Sequence, residues 1–285
     1  MPHSPDYDVV LFGASGYTGQ LVAEYLMHRT GGERFALAGR NRAKLEQVRA
    51  TLGAPHLPLL LGDSHDSESL RAIAKNARVI CSTVGPYAVH GNELVAVCAE
   101  EGVSYCDLTG ETHWIRRMID AHEQTAARTG ARIVHCCGFD SVPVDLGTFF
   151  LQQHAIKTLG GPCEAVHAYL TSAKGSVSGG TVASIEGVLA EARRDPEVRK
   201  LLQDPYGLNP EGERSGPDGA DLMVPSQDPE MGWLAPHLTG AADSRIVRRS
   251  NAVLGYPYGR DFRFAESVAT GTASHAAGSS PPWSR

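Results

Sequence analysis

Short apolar runs alternate with helix-period segments over the first 140 residues of the chain. The predicted strands are Asp8–Phe12, Phe35–Ala38, Leu57–Leu61, Ala77–Val84, Val103–Leu108 and Ala131–Cys137. Two of the helices between them, Asn92–Glu101 and Thr112–Thr129, are each followed by a glycine at the position of a left-handed C-cap. Continuous apolar strands that alternate with amphipathic helices predict a doubly wound α/β domain, in which helices cover both faces of a parallel sheet.

The pattern changes after about position 145. A strand is predicted at Glu164–Ser172, followed by a helix at Thr181–Arg194 with Val182, Ile185, Val188 and Leu189 on its apolar side. Asp195–Pro196 stops this helix and starts another, because proline suits the first turn of a helix but not its interior. These elements predict a second, smaller α+β domain.

The remainder of this second domain has weaker signals. Asp204–Asp243 is rich in Gly, Pro and Asp and is interpreted as a long loop or lid. Arg245–Leu254 and Arg260–Ala269 predict a β-hairpin around Tyr258–Gly259. The predicted domains are therefore residues 1–145 and 146–270, with a disordered tail at 271–285 that has almost nothing to bury.

Composition and charge exclude several classes of protein. The net charge of −6 argues against a general nucleic-acid binder, which needs a concentrated basic face. No apolar run reaches the roughly 18 residues of a membrane span, and the polar N-terminus does not resemble a signal peptide. We therefore expect a cytoplasmic protein without a membrane span.

The cysteines and histidines favour neither a disulfide framework nor a metal. The six cysteines form no C-x-x-C pair, and the twelve histidines show no metal-ligand spacing. The adjacent Cys136 and Cys137 could suggest metal or redox chemistry, but we interpret them as small buried residues that close a strand. No metal is predicted.

A glycine-rich turn is the strongest local signal. Gly13-Ala-Ser-Gly16-Tyr-Thr-Gly19 follows the first predicted strand directly and opens a helix. Gly13 permits a tight turn, Gly16 lets a pyrophosphate approach the backbone, and Gly19 lets the helix pack closely against the strand. The spacing is a variant of the usual dinucleotide motif, and its position between strand and helix predicts a Rossmann-type nucleotide site.

The residues after the second strand indicate which nucleotide binds. An NAD site would place Asp or Glu there, whereas this chain has Gly39-Arg40-Asn41. Arg40 could pair with a 2′-phosphate, so NADP is favoured over NAD, although a solvated surface arginine is the alternative. The predicted cofactor residues are Gly13, Ser15, Gly16, Tyr17, Thr18, Gly19, Arg40, Thr83, Val84 and Gly85.

Later strand ends provide candidates for contact with a substrate, because ligands of such sheets lie beyond the carboxyl ends of the strands. Asp107, Glu111 and Asp140 are the carboxylates expected there, with helix capping or turn stabilisation as the alternative for each. A short-chain dehydrogenase is excluded because no Tyr has Lys four residues later. A semialdehyde or acyl-phosphate reductase is excluded because no Cys follows Asn in an Asn-x-x-Cys setting.

Several segments together resemble one family. They are Val9–Gly19, Leu37–Arg40, Ser82–Tyr87, Tyr105–Glu111, Cys137–Pro143, Ser178–Thr181, Asp204–Tyr206, Arg245–Ala252 and Tyr258–Arg260. In combination they resemble the saccharopine dehydrogenase-like oxidoreductases, and most closely the actinobacterial and mycobacterial trans-acting enoyl reductases. The similarity extends from Val9 to about Val268.

This resemblance implies an NADPH-dependent reductase of unsaturated acyl thioesters that acts in trans on chains carried by a polyketide synthase. It also implies that Thr83, Asp107 and Cys137 approach the substrate; together with Asp140, the last two are the candidate catalytic residues. A homodimer is expected. Members of the family continue beyond position 285, so we expect a C-terminally shortened chain with an incomplete second domain.

Two alternatives remain open at this point. A saccharopine-type imine or amino-acid dehydrogenase would need cations that clamp substrate carboxylates, for which Arg245, Arg248 and Arg249 are candidates unless they form a solvated strand edge. A non-catalytic NADP-binding protein is the other alternative, and the shortened C-terminus favours it.

Overall fold

The computed structural model describes residues 5–30, 34–172, 178–221 and 224–271. The chain divides into two compact units. The first contains the residues up to Thr109 together with Arg117–Cys137, and the second contains Gly110–Arg116 and the chain from Gly138 onward. Of the tail predicted at 271–285, all residues after Gly271 lie outside the described residues.

The first unit is built on a parallel sheet of six strands. The strands are β1 (Tyr7–Phe12), β2 (Phe35–Gly39), β3 (Leu59–Leu61), β4 (Ala77–Ser82), β5 (Ser104–Asp107) and β6 (Ile133–Val134). The helices are α1 (Tyr17–Thr30), α2 (Arg42–Thr51), α3 (Ser67–Ala74), α4 (Tyr87–His90), α5 (Asn92–Glu101) and α6 (Thr112–Thr129), of which the part from Arg117 onward belongs to this unit. The strand order β3-β2-β1-β4-β5-β6 confirms the predicted Rossmann-type fold.

The central strands are buried because helices lie on both sides of the sheet. Every residue of β2 is buried, and Leu11, Leu37 and Leu45 belong to one apolar cluster with Phe35. The strand order reverses between β1 and β4, and such a switch point opens a crevice at the carboxyl ends of the two strands.

The last strand of this sheet is shorter than predicted. Ala131–Cys137 is expected from its apolar run, but β6 covers only Ile133–Val134. Among the described residues, β6 pairs only with β5 and forms the edge of the sheet. The backbone at Cys136 adopts a left-handed φ of 59°, which ends the extended conformation. Cys136 is buried and Cys137 is exposed, so the expectation that both are buried is wrong for Cys137.

The second unit contains a mixed sheet of four strands with helices. Its strands are β7 (Ala165–Leu170), β8 (Ser226–Asp228), β9 (Gly232–Ala235) and β10 (Arg263–Gly271). Its helices are α7 (Val142–Leu159), α8 (Gly179–Arg194), α9 (Pro196–Gln203) and α10 (Gly240–Val253). In the order β7-β10-β9-β8, β10 runs parallel to β7 and antiparallel to β9. The prediction of an α+β second domain is confirmed.

Two predictions for this unit are wrong. The first arm of the predicted hairpin, Arg245–Leu254, lies in helix α10, and the second arm forms β10, which pairs with β7 and β9. Within the predicted loop Asp204–Asp243, β8 and β9 form a hairpin. The Asp228 carboxylate closes it by accepting hydrogen bonds from the backbone N–H groups of Glu230 and Met231 at 2.9 and 2.8 Å.

None of the helices in the described parts of the chain has the length and apolarity that a transmembrane span requires.

Candidate functional site

The glycine turn after β1 is held so tightly that side chains are excluded from it. Gly13 has a φ of +92°, and a Cβ there would lie 2.6 Å from Val84 Cγ2 and 2.8 Å from Thr83 Oγ1. A Cβ on Gly19 would lie 2.2 Å from the carbonyl oxygen of Gly13, because α1 begins directly against the turn. These contacts give the first and third glycines of the motif the roles predicted for them.

The segment after β4 is fastened to the same turn. The backbone N–H of Thr83 donates to the carbonyl oxygen of Phe12 at 2.9 Å, and Thr83 Oγ1 donates to that of Gly13 at 3.2 Å. Thr83 and Val84 therefore lie beside the glycine turn at the switch point of the sheet, and Gly85 follows them directly in the chain. Two sequence-separated parts of the predicted cofactor set meet there.

The start of α1 faces solvent. Gly16 and Tyr17 are exposed, Ser15 and Thr18 are half-buried, and the first N–H groups of a helix have no partner within the helix. Such a helix start after a glycine turn binds anionic groups such as a pyrophosphate. Arg40 is exposed at the end of β2, next to Asn41, which caps α2 by accepting a hydrogen bond from the Lys44 N–H.

Asp107 lies at the end of β5, as predicted, but its carboxylate is fully engaged by neighbours in the first unit. Oδ2 accepts hydrogen bonds from the Tyr105 hydroxyl at 2.9 Å and contacts His135 Nδ1 at 2.7 Å. Oδ1 accepts from the backbone N–H groups of Thr109 and Cys136 at 3.1 and 3.2 Å. The Asp107 side chain is 1% exposed and has four partners. Its hydrogen bonds stabilise the turns that follow β5 and β6.

Cys137 lies beside Asp107, since its backbone N–H donates to the Asp107 carbonyl oxygen at 2.6 Å. A hydrogen bond with Cys106, together with desolvation, raises the pKa of the Cys137 thiol well above its usual range. The side chain is therefore a thiol at neutral pH, which makes it a poor nucleophile.

Glu111 is buried in the second unit, where Oε1 accepts a hydrogen bond from Ser184 Oγ of α8 at 2.8 Å. This contact anchors a helix whose predicted apolar side is not buried: Val182 and Leu189 are 46% and 52% exposed. The contact with Ser184 is neither the helix cap nor the turn-stabilising bond given as the alternative for Glu111, whose contact with a substrate stays a prediction.

A cavity of about 1280 Å³ lies in the second unit. Apolar side chains make up much of its wall, among them Phe139, Val144, Leu170, Leu238 and Phe264. Asp140, His237 and Glu266 also line it. Partial burial raises the pKa of Asp140, and nearby Glu266 raises it further while His237 opposes the shift.

Three polar side chains that the sequence analysis missed converge beside this cavity. His237 Nδ1 lies 3.1 Å from Glu266 Oε1 and 4.0 Å from Asp243 Oδ2, while Ser141 Oγ donates to Asp243 Oδ1. Burial raises the pKa of Asp243 to about 7, and the hydrogen bond with Glu266 raises the pKa of His237. A loop, α10 and β10 supply one residue each, so no local spacing could have revealed the group.

The chain matches known proteins over nearly all of its length. Residues 9–134 match the family model of the saccharopine dehydrogenase NADP binding domain. The trans-acting enoyl reductase of Mycobacterium bovis (strain BCG / Pasteur 1173P2) is 40% identical over 285 residues, which cover 96% of this chain and 68% of that protein. The enzyme of the same name from Mycobacterium leprae is 39% identical, with 95% and 67% covered.

A further relative from Mycobacterium tuberculosis is 43% identical over 276 residues and covers 94% of this chain. The chain spans about two thirds of the length of these curated relatives, and 66% of this Mycobacterium tuberculosis protein. Among solved structures, saccharopine dehydrogenase (L-Glu forming) from Saccharomyces cerevisiae matches with 16% identity and a TM-score of 0.47, over 57% of this chain and 34% of that one. The chain belongs to the family of the trans-acting enoyl reductases, and its residues 9–134 match the saccharopine dehydrogenase NADP binding domain.

Proposed function

We propose that the protein is an NADPH-dependent enoyl reductase that acts on unsaturated acyl thioesters. The observation that carries this proposal is the turn at Gly13 and Gly19, where Cβ atoms would collide with Val84 and with the turn itself. This turn lies at the switch point of the sheet in a chain of the enoyl reductase family. Membership of this family supports the proposed reaction, and the geometry of the turn supports the proposed nucleotide site.

Different residues of the first unit bind different parts of the nucleotide. The segment Gly13–Gly19 and the open start of α1 bind the pyrophosphate through backbone N–H groups. Thr83, Val84 and Gly85 border the ribose and nicotinamide. Arg40 pairs with the 2′-phosphate, and this preference for NADPH over NADH rests on a cation at the end of β2 where an NAD site would offer a carboxylate.

When bound, NADPH supplies a hydride to the β-carbon of the enoyl thioester, while a proton adds to the α-carbon. The chain's own contribution is to position the reactants and to exclude water from them. The cavity of the second unit suits an acyl chain, since aliphatic and aromatic side chains form much of its wall. We propose that its acceptors are carried by a polyketide synthase, consistent with the trans-acting relatives.

The saccharopine-type alternative loses its main support. Arg245 and Arg248 are 1% and 5% exposed and are paired with Asp221 and Asp218 of the same unit. Arg249, the third candidate, is half-buried and donates a hydrogen bond to the Leu208 carbonyl oxygen at 2.6 Å. Arginines that are already paired cannot clamp the carboxylates of a substrate, and the expectation of a solvated strand edge is wrong for Arg245 and Arg248. The homodimer and the cytoplasmic location stay predictions.

A fluorescence titration with NADPH and NADH tests the cofactor half of the proposal. Arg40→Ala should weaken NADPH binding by roughly 10- to 100-fold and leave NADH binding unchanged, because one charge-assisted phosphate contact is lost. Arg42→Ala is the matched control, because it removes an exposed arginine two residues later. It should change neither the affinity for NADPH nor that for NADH.

Measurement of enzymatic turnover tests the proposed reductase activity. The wild-type protein should oxidise NADPH in the presence of a crotonyl-type thioester and release the saturated product. NADPH binding without turnover on any acyl thioester would instead support the non-catalytic NADP-binding protein. Absence of binding by either nucleotide would contradict the whole proposal.

A further inference from the structure

We propose that His237, Asp243 and Glu266 form a binding site for a divalent metal ion of the zinc class, which opens onto the cavity of the second unit. The proposal goes beyond nucleotide-dependent reduction and does not depend on it. The three side chains are 15%, 1% and 5% exposed.

The geometry already approximates a coordination shell. One donor atom from each residue lies within 4.8 Å of the other two, and His237 Nδ1 lies 3.1 Å from Glu266 Oε1. Ligands of a tetrahedral zinc ion are about 3.3 Å apart, given bonds of about 2.0–2.1 Å. The 4.0 Å between His237 Nδ1 and Asp243 Oδ2 therefore needs only a small contraction.

Two carboxylate oxygens of the group lack a hydrogen-bond partner. Asp243 Oδ2 and Glu266 Oε2 are buried and unpaired among the described residues. A buried polar atom without a partner is costly, and it is rare in a native fold unless a ligand satisfies it. Oδ2 is the Asp243 atom on the side of His237, so a cation among the three residues would satisfy it directly.

The charges also favour a cation. Asp140 contributes to the negative potential at both Asp243 and His237, so three carboxylates surround one imidazole. The three arginines of α10 are engaged elsewhere: Arg245 pairs with Asp221 at 2.8 Å, Arg248 pairs with Asp218 at 2.6 Å, and Arg249 donates to the Leu208 carbonyl oxygen at 2.6 Å. A divalent ion would balance the charge that these arginines leave uncompensated.

The backbone brings the three ligands together by close packing at the start of α10. A Cβ on Gly240 would lie 3.1 Å from His237 Cβ and 3.7 Å from Glu266 Cβ, so the helix begins directly against both neighbours. Three protein ligands with one open position are typical of exchangeable zinc sites, and a mixed nitrogen and oxygen set selects zinc over magnesium. His237 and Glu266 line the cavity, so the open position is accessible to a water molecule or a carbonyl oxygen.

Calorimetric titration of chelator-treated protein with zinc chloride tests the proposal. The expected result is one tightly bound zinc ion per chain, weaker binding of manganese and none of magnesium. His237→Gln, Asp243→Asn and Glu266→Gln should each weaken zinc binding at least ~100-fold, because each removes one of three ligands. Zinc should also raise the Tm of the wild type but not of these variants.

The matched control is His65→Gln. His65 Nε2 lies 3.1 Å from His90 Nδ1 at a different place in the fold, so this pair is the competing zinc-binding candidate. His65→Gln should leave the tight site intact. Asp243→Asn keeps the shape of the side chain, and circular dichroism with NADPH binding verifies that each variant is folded. Absence of zinc binding by the wild type, or binding lost with His65→Gln and kept in the three ligand variants, would overturn the proposal.

Discussion

The proposed nucleotide site depends on the absence of a side chain at Gly19. Gly19→Ala places a Cβ 2.2 Å from the Gly13 carbonyl oxygen, which cannot move without displacing the turn. We expect NADPH affinity to fall at least ~100-fold and the free energy of unfolding to fall by about 1–3 kcal/mol. Fluorescence titration and urea unfolding measure the two effects.

Gly147→Ala is the control for this substitution. Gly147 is an exposed position inside α7 where a Cβ would meet nothing within 4 Å. Alanine there should add about 0.5–1 kcal/mol to stability through helix propensity and leave NADPH binding unchanged. Equal effects of the two substitutions on NADPH binding would contradict the role given to Gly19.

Asp145 gives a pH dependence at the residue scale. Burial raises the pKa of Asp145, while a hydrogen bond from Ser250 at 3.0 Å opposes the shift. Between the unfolded pKa of about 4 and the higher folded value, the folded state holds more protons than the unfolded state. The free energy of unfolding contributed by this group therefore falls as the pH rises through that window.

Asp145→Asn removes this ionisation and keeps an oxygen acceptor for Ser250. The variant should gain stability relative to wild type at about pH 7.5 but not at about pH 4, as measured by urea unfolding. The exposed Asp261→Asn variant serves as control and should show no such difference. A stability difference that is independent of pH would contradict the assignment.

At the scale of elements, helix α10 occupies a segment for which the sequence predicts a strand. Nine of its positions are buried, and five of these carry polar or charged side chains, namely Asp243, Ser244, Arg245, Arg248 and Asn251. Because most of the buried side chains are polar, the sequence shows no hydrophobic period of 3.6 residues there. Arg245 and Arg248 are buried because carboxylates and backbone carbonyls from the segment before α10 surround them.

Arg245→Ala should destabilise the protein by about 3–5 kcal/mol, because it leaves Asp221 and several carbonyl groups without their partner. Arg260→Ala is the matched control, since Arg260 is 66% exposed in its pair with Glu213. Because this pair is exposed to solvent and screened, its loss should change the free energy of unfolding far less than Arg245→Ala does. Chemical denaturation of both variants tests the contrast, and similar losses would show that burial does not determine the effect.

Helix α7 carries an exposed apolar surface within the described chain. Phe150 and Leu146 are 75% and 59% exposed, and Leu159 is 80% exposed. Exposed apolar area of this kind binds hydrophobic dyes and promotes association. Phe150→Ser should lower the fluorescence of bound anilinonaphthalene sulfonate and reduce self-association in light scattering, without changing NADPH binding. Unchanged dye binding would contradict this reading of α7.

At the scale of the whole molecule, ligand binding should appear as thermal stabilisation. NADPH at about 100 times its Kd stabilises the state that binds it by about 2.7 kcal/mol. The Tm should therefore rise by roughly 5–10 °C, given about 2–4 °C per kcal/mol for chains of this size. Differential scanning fluorimetry should show this rise for the wild type and at most about 1–2 °C for Gly19→Ala, whose affinity for NADPH we expect to be at least ~100-fold lower.

The sequence by itself determined the first unit and its candidate nucleotide site. The order of strands and helices up to residue 137 follows from local periodicity and from helix caps such as Gly102, whose φ is +71°. The turn at Gly13–Gly19 can be predicted because its backbone leaves no room for side chains. Glycine is therefore required at fixed positions, and a short sequence motif shows it. The end of β6 was missed because a left-handed residue at Cys136 has no signal in an apolar run.

Only the tertiary structure decided which polar side chains meet and what they contact. Asp107 of the first unit is a candidate in the sequence, but its carboxylate has four partners in the fold: Tyr105, Thr109, His135 and Cys136. His237, Asp243 and Glu266 are separated by 6 and 23 positions along the chain and belong to three different elements. Packing of α10 against β10 brings them together. Contacts between elements depend on the fold as a whole, so local sequence patterns cannot predict them.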